Sequence, residues 1–164
     1  MDESRIRIDV LVVTALKDEL DALLDLDVDG AGRSAWTEER DRYDFPFHVR
    51  ALSNEYGEPL RLAAAWSGEM GETAATERAG TLIDELDPAC LAMCGICAGK
   101  RGEVFLGDVI VANRVYSYDR GKHSAASEGR EEQSLHDIET YNLQGSWGMD
   151  ATFFADEFQR SWEG

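Results

Sequence analysis

The chain has 164 residues, 43% of them hydrophobic, and its 33 acidic and 16 basic residues give a formal net charge of −17 at pH 7. A chain of this size can bury a core of its own, so we expect a single domain over residues 1–164. The negative charge argues against nucleic-acid and membrane partners, and no apolar run reaches the roughly 18 residues of a membrane-spanning helix. The charged start is unlike a signal peptide, so we expect a cytoplasmic protein. Either a high-salt cytoplasm or a GC-rich genome would explain the acidic, lysine-poor composition.

The first elements predict a strand, a helix and a loop. Residues 6–15 are first alternating and then continuously apolar, which is typical of a central strand covered on both faces. Residues 17–25 place three leucines on one side of a helix, and the acidic residues Asp18 and Glu19 suit its N-terminus. The polar residues 27–42 predict a loop.

Two further strands are predicted at 45–52 and 60–66, joined by a turn at 54–59. An apolar stripe predicts a second helix over 72–86, and Asp87–Pro88 ends it. Strands separated by helices indicate an α/β fold with a partly parallel sheet.

The second half predicts strands at 89–96 and 104–115, a mobile polar loop at 123–135 and a helix at 151–162. Aromatic residues recur at every fourth position of that helix, and we expect them to drive self-association: Phe154, Phe158 and Trp162.

The three cysteines, Cys90, Cys94 and Cys97, lie in or beside the strand predicted at 89–96. No second cysteine pair and no nearby histidine accompany them, so we expect buried, reduced thiols rather than a zinc or redox site. We expect no metal and no cofactor.

Three segments follow predicted strands: Ala15 to Glu19, Ser67 to Gly71 and Gly95 to Gly99. In an open α/β sheet, ligands bind outside the carboxyl ends of the strands, so neighbouring strands would bring these segments to one pocket. Free N–H groups at Gly71 and Gly99 would then hold oxygen atoms. Each segment alone is equally an ordinary turn. Glu19 is either a solvated acid at a helix N-terminus or a carboxylate that orients or deprotonates a water.

Taken together, four segments resemble the nucleoside phosphorylase superfamily, and within it the methylthioadenosine/S-adenosylhomocysteine nucleosidases. They are VLVVTALKDEL (10–20), SGEMGETAA (67–75), CGICAG (94–99) and GDVIVANRVYSYD (107–119). The resemblance implies a three-layer α/β/α fold with a central mixed sheet, a homo-oligomer, and cleavage of the N-glycosidic bond of a purine nucleoside or nucleotide. The sequence of the third segment also resembles the corresponding segment of phosphorylase-type domains at the N-terminus of long bacterial signalling or defence proteins.

By position, the resemblance implies that Glu19 prepares the attacking water. It places Met70 and Gly71 beside the ribose and the nucleophile. The turn that lines the sugar and base pocket is matched by Ile96, Cys97, Ala98 and Gly99.

The resemblance also has departures that bear on activity. Ile96 stands where the nucleosidases usually have serine, and residues 120–164 offer no match for the family's ribose-binding Met-Glu pair or its base-protonating aspartate. We therefore expect the chain to form only the first two thirds of the fold, to be incomplete at its C-terminus, and to be inactive by itself. The acids Asp18 and Glu19 would repel a phosphate dianion, which favours hydrolysis over phosphorolysis. A catalytically degenerate nucleoside-binding module and a structural fragment with an empty pocket are the alternatives.

Overall fold

A computed structural model of the chain describes residues 7–26, 35–53, 57–116, 121–124, 133–136, 140–143 and 145–162. The chain forms two compact units, Met1–Ala98 and Gly99–Gly164. The expectation of one domain over the whole chain stays a prediction.

The first unit is a mixed α/β unit built on a five-stranded sheet. Its strand order is β2-β3-β4-β1-β5, in which β1 runs parallel to β4 and β5, whereas β3 runs antiparallel to β2 and β4. In chain order the elements are β1 (Val10–Thr14), α1 (Lys17–Asp25), β2 (Thr37–Arg40), β3 (Pro46–Ser53), β4 (Pro59–Trp66), α2 (Glu72–Leu86) and β5 (Cys90–Met93).

The core lies on one face of this sheet, where β1 contributes Leu11 and Val13 and α2 contributes the fully buried Leu82. Small alanines in β4 let the helix approach this face closely. Arg50 belongs to the opposite face, since its neighbour Val49 packs against the core, and it donates from Nη1 to the Leu26 carbonyl at the end of α1 (3.3 Å). The end of α1 therefore lies on the side of the sheet opposite the core that α2 covers.

Both helices of this unit have the bounds predicted from the sequence. The Asp87 residue that follows α2 adopts a left-handed conformation (φ 46°), and Pro88 cannot continue a helix, so the stop is sharp. The loop predicted at 27–42 is wrong at its end, because Thr37–Arg40 forms β2. This strand is exposed and charged along its length, so it carries no apolar alternation by which to recognise it.

The second unit contains two small antiparallel pairs and a helix. Strand β6 (Arg114–Tyr116) pairs with β9 (Thr140–Asn142), and β7 (Gly121–Ser124) pairs with β8 (Gln133–His136). The mobile loop predicted at 123–135 is thus strand at both ends, and residues 125–132 lie outside the described residues. Helix α3 (Gly145–Trp162) begins earlier than the predicted 151. Among the described residues, no helix is long and apolar enough to cross a membrane.

The strand predicted at 104–115 is wrong for most of its length. Val104 makes an isolated bridge to Arg101, and a turn follows in which the Phe105 N–H donates to the Asp108 carboxylate (2.9 Å). A strand needs a hydrogen-bonded neighbour, and among the described residues no strand pairs with 105–112; Leu143 N–H donates to the Asn113 carbonyl only at the start of β6. Val109 is accordingly 90% exposed despite its strong β propensity.

Candidate functional site

The carboxyl ends of β4, β1 and β5 meet at one edge of the sheet, because these three neighbouring strands are parallel. The register pairs Thr14 with Trp66, and the strand ends are joined by backbone bonds. Ser67 N–H donates to the Thr14 carbonyl (2.9 Å), and Cys94 N–H donates to the Val13 carbonyl (3.2 Å). The segments that follow these strands therefore start side by side, which meets the condition that the sequence analysis set for them to converge; a common pocket stays a prediction.

Glu19 joins two of these segments through its carboxylate. Oε2 accepts hydrogen bonds from the N–H groups of Ala15 (3.1 Å) and Leu16 (2.9 Å), which lie just before α1. Oε1 accepts a hydrogen bond from Ile96 N–H (2.9 Å), beyond the end of β5. A carboxylate at the third position of a helix satisfies N–H groups that have no partner within the helix, and here it also reaches across to a neighbouring strand.

Gly95 allows this contact because it has no side chain. A Cβ atom at this position would lie 2.6 Å from Glu19 Oε1, well inside van der Waals contact. The segment from Gly95 to Gly99 is predicted to line a ligand pocket, and in the structure the bare backbone at Gly95 accommodates the Glu19 carboxylate.

Glu19 is ionised at neutral pH. The hydrogen bond from Ile96 N–H, together with those from Leu16 and Ala15, holds the pKa of the Glu19 carboxyl below its ordinary value, against the opposing effect of partial burial. The edge of the sheet therefore carries a fixed negative charge whose position is set by three backbone groups.

The end of β4 is tied to the same place by side chains. Trp66 Nε1 donates to the Ala15 carbonyl (3.1 Å), and the Ser67 hydroxyl donates to the Glu69 carbonyl (2.6 Å). Sequence reasoning did not single out Trp66 as part of this edge. A lone large aromatic at the last position of an otherwise small-residue strand, LAAAW, is the signal that identifies it.

The other predicted site residues of the first unit are exposed. Met70 (74% exposed) and Ile96 (83% exposed) present apolar side chains to solvent at this edge, as do Cys97 and Ala98. Gly71 adopts φ 121°, a conformation open to glycine, at the start of α2. Gly99 belongs to the second unit, where its backbone lies so close to Val104 that a Cβ would come within 2.8 Å of the valine Cβ.

The prediction of buried cysteines is wrong for two of the three. Cys94 and Cys97 are exposed, and both lie beyond Met93, the last residue of β5. Cys90 is half-buried, and burial raises the pKa of its thiol. All three are free thiols. Among the described residues, no group of three or more His, Cys, Asp and Glu side chains is placed to hold a metal ion.

Comparison with known proteins leaves the family open. No protein-family model matches the chain, and no solved structure matches it significantly. A similar curated protein, the "Uncharacterized protein y4jS" of Sinorhizobium fredii (strain NBRC 101917 / NGR234), is 43% identical over 54 residues. The matched stretch makes up 33% of this chain and 13% of that protein, so this chain matches only a small part of the relative's length.

Proposed function

We propose that this chain carries the water-activating side of a purine nucleosidase site, in a cytoplasmic protein that hydrolyses the N-glycosidic bond of a purine nucleoside or nucleotide. The observation that carries the proposal is the ionised Glu19 carboxylate, fixed at the shared carboxyl edge of three parallel strands. Ligands of open α/β sheets bind at such edges.

The free acceptor capacity of Glu19 suits this task. A carboxylate has about four lone-pair positions, and backbone N–H groups use three of them, which leaves one for a water molecule. Glycosidic hydrolysis passes through a state in which the sugar becomes cationic. A nearby fixed anion stabilises that charge, and a water held by the carboxylate is already oriented for attack.

The low pKa of Glu19 defines its role further. A weakly basic carboxylate removes little of the proton before the transition state. This suits a reaction in which the bond to the base breaks first and water adds to a nearly formed cation. In the proposed mechanism, Glu19 therefore orients the water and takes its proton as the new bond forms.

The charges around Glu19 favour water over phosphate as the nucleophile. Asp18 lies next to Glu19 in the first turn of α1 and is exposed, so a second negative charge stands close by. Lys17 forms an ion pair with Asp21 (2.6 Å). A phosphate dianion approaching this helix would meet acids before it met a free lysine.

The remaining parts of the proposal rest on the resemblance. We assign the five-stranded mixed sheet and its helices to the three-layer nucleosidase-like fold, and Met70, Gly71, Ile96, Cys97 and Ala98 to substrate binding. We also propose a homo-oligomer, and a place for this domain in a larger signalling or defence protein. The match of 54 residues to 13% of a longer relative supports only the larger size in the last point.

The test incubates the full-length protein with a panel of purine nucleosides and nucleotides, in the presence and in the absence of phosphate. Chromatography measures the free base that is released. We expect release without phosphate, and its loss in Glu19→Gln. The matched control is Asp25→Asn, which removes an exposed carboxylate at the far end of the same helix and is expected to leave the rate unchanged. Full activity in Glu19→Gln, or a strict need for phosphate, would overturn the assignment.

A binding module without catalysis is the second candidate, and one observation favours it. All three hydrogen bonds of Glu19 are made within the chain, which is also what a structural clamp requires. Calorimetric binding of a purine nucleoside, with no base released over a long incubation, would support this candidate instead.

A further inference from the structure

Two exposed cysteines bracket the contact between Glu19 and the end of β5. Cys94 is anchored to the sheet, because its N–H donates to the Val13 carbonyl (3.2 Å), and Cys97 comes three residues later. Between them lies Ile96, whose N–H donates to Glu19 Oε1. Any movement that brings Cys97 to Cys94 therefore changes the backbone at Ile96, the residue that is hydrogen-bonded to Glu19.

The conformation of this segment keeps the two thiols apart. Residues 94–98 contain neither a turn nor a bend. A disulfide needs Cα atoms within about 7 Å, and between residues three apart such a distance is the mark of a four-residue turn. The present conformation holds the Glu19–Ile96 hydrogen bond with both cysteines reduced. A disulfide between Cys94 and Cys97 requires the segment to fold back into a turn.

We propose that Cys94 and Cys97 form a redox-modification site whose oxidation to a disulfide releases Ile96 from Glu19. The oxidant is a small-molecule disulfide. The thiolate of one cysteine attacks this oxidant, which forms a mixed disulfide and expels one small thiolate. The second cysteine then attacks the sulfur of the first cysteine in the mixed disulfide and expels the second small thiolate. Two protein thiols are oxidised, one small disulfide is reduced to two thiols, and the two protons pass to the departing thiolates.

Cys90 takes no part in this exchange. It lies within β5, paired with Val10 of β1, and it is half-buried. Burial raises the pKa of its thiol, which keeps it protonated and slow to react. The rest of β5 separates it from Cys94, and the rise of a strand over that length exceeds the reach of a disulfide.

The exchange is coupled to Glu19 in both directions. If the disulfide breaks the Glu19–Ile96 bond, then loss of that bond must make the disulfide easier to form, by the same factor. Two substitutions weaken the bond by different routes. Glu19→Ala removes the acceptor, and Gly95→Ala adds a Cβ where only 2.6 Å separates it from Glu19 Oε1, so that the carboxylate must move away.

The experiment equilibrates the protein in buffers of graded oxidised-to-reduced glutathione ratio, quenches with acid, alkylates free thiols and maps the peptides by mass spectrometry. We expect a Cys94–Cys97 disulfide in the wild type. Both Glu19→Ala and Gly95→Ala are expected to shift its oxidation equilibrium about tenfold toward the disulfide, the size of one charge-assisted hydrogen bond. The control Asp25→Ala removes a carboxylate from the same helix and should not shift it.

Two results would overturn the proposal: no disulfide between Cys94 and Cys97 at any glutathione ratio, or the same equilibrium in the wild type and in both variants. The effect of oxidation on hydrolysis rests on the proposed function, but the peptide map does not. A shifted equilibrium in a protein that releases no base would reject the nucleosidase and keep the redox site. Base release that is insensitive to oxidation, with no mapped disulfide, would do the reverse.

Discussion

Glu19 Oε1 accepts a hydrogen bond from Ile96 N–H at 2.9 Å, although 77 positions separate the two residues in the chain. The same carboxylate also accepts hydrogen bonds from the backbone just before α1. It therefore links the start of α1 to the end of the edge strand β5. A single side chain thus places a negative charge at this edge and joins two of its backbone segments.

Glu19→Gln is expected to destabilise the protein by about 1–2 kcal/mol at neutral pH, because an amide has one acceptor oxygen and its NH₂ group cannot accept from a backbone N–H. The folded-state pKa of Glu19 lies below its unfolded value. Its contribution is therefore complete above the unfolded pKa and is lost as the pH falls through the folded pKa. Urea unfolding at neutral and acidic pH measures both effects.

The difference in free energy of unfolding between the wild type and Glu19→Gln should shrink as the solution is acidified. A constant difference across the acidic range would show that the charge of Glu19 contributes nothing to folding.

Gly95→Ala and Gly80→Ala are expected to change stability in opposite directions. At position 95 the new methyl group displaces the Glu19 carboxylate, and we expect a loss of about 1 kcal/mol or more. At position 80, within α2, nothing lies within 4 Å of the added Cβ, so the helix gains roughly 0.5–1 kcal/mol from the better helix former. Thermal unfolding of the two variants checks both signs, and a neutral or stabilising Gly95→Ala would contradict the close contact.

Arg78 and Asp41 form an ion pair that joins α2 to the turn between β2 and β3. Both side chains are buried, 8% and 0% exposed, and Arg78 also donates to the Pro46 carbonyl (2.7 Å). Burial raises the pKa of the Asp41 carboxyl, but the N–H groups of Phe45 and Tyr43 and the Arg78 guanidinium outweigh it and bring the pKa below its ordinary value. The pair is therefore charged at neutral pH, and the contribution of Asp41 to stability disappears as the pH falls through its folded pKa.

Arg78→Ala is expected to cost about 3–5 kcal/mol, because it leaves the Asp41 carboxylate buried without its cation. The matched control is Arg42→Ala, whose ion pairs with Asp84 and Glu85 lie nearer the surface, where solvent screens them, so the loss is expected to be much smaller. Denaturant unfolding of both variants measures the two losses. Equal effects would mean that the depth of the Arg78 pair is irrelevant to stability.

The first half of α3 is expected to drive self-association. Met149 and Phe153 are four residues apart on one side of this helix and are 62% and 66% exposed, so an aqueous monomer would leave a continuous apolar strip in water. Sedimentation velocity should show a dimer or larger species, and a Met149→Lys, Phe153→Lys double variant should shift it toward the monomer. A compact wild-type monomer at high concentration would contradict this prediction. The sequence analysis predicted self-association through Phe154, Phe158 and Trp162. The side chains of Phe158 and Trp162 lie outside the described residues.

Local pattern was sufficient where one face of an element meets the core. The bounds of α1 and α2 follow from leucine and alanine spacing, acids at the first turn and Pro88 after the last, all of which act within a few residues. The same reasoning failed at 104–115, because a run of β-branched residues states a preference for strand but supplies no partner to pair with. It also failed at Thr37–Arg40, where an edge strand needs no apolar residues at all.

The sequence by itself determined the elements of the sheet's centre, the partly parallel character of the sheet, and the choice of Glu19 as the acid of interest. Only the tertiary structure decided what touches that acid: Ile96 N–H on one side, two N–H groups before α1 on the other, and the space left by Gly95. It also decided that Cys94 and Cys97 face solvent. Periodicity reports which side of an element is apolar, whereas contacts across 77 positions depend on how strands are ordered in the sheet, and that order is settled only when the whole core packs.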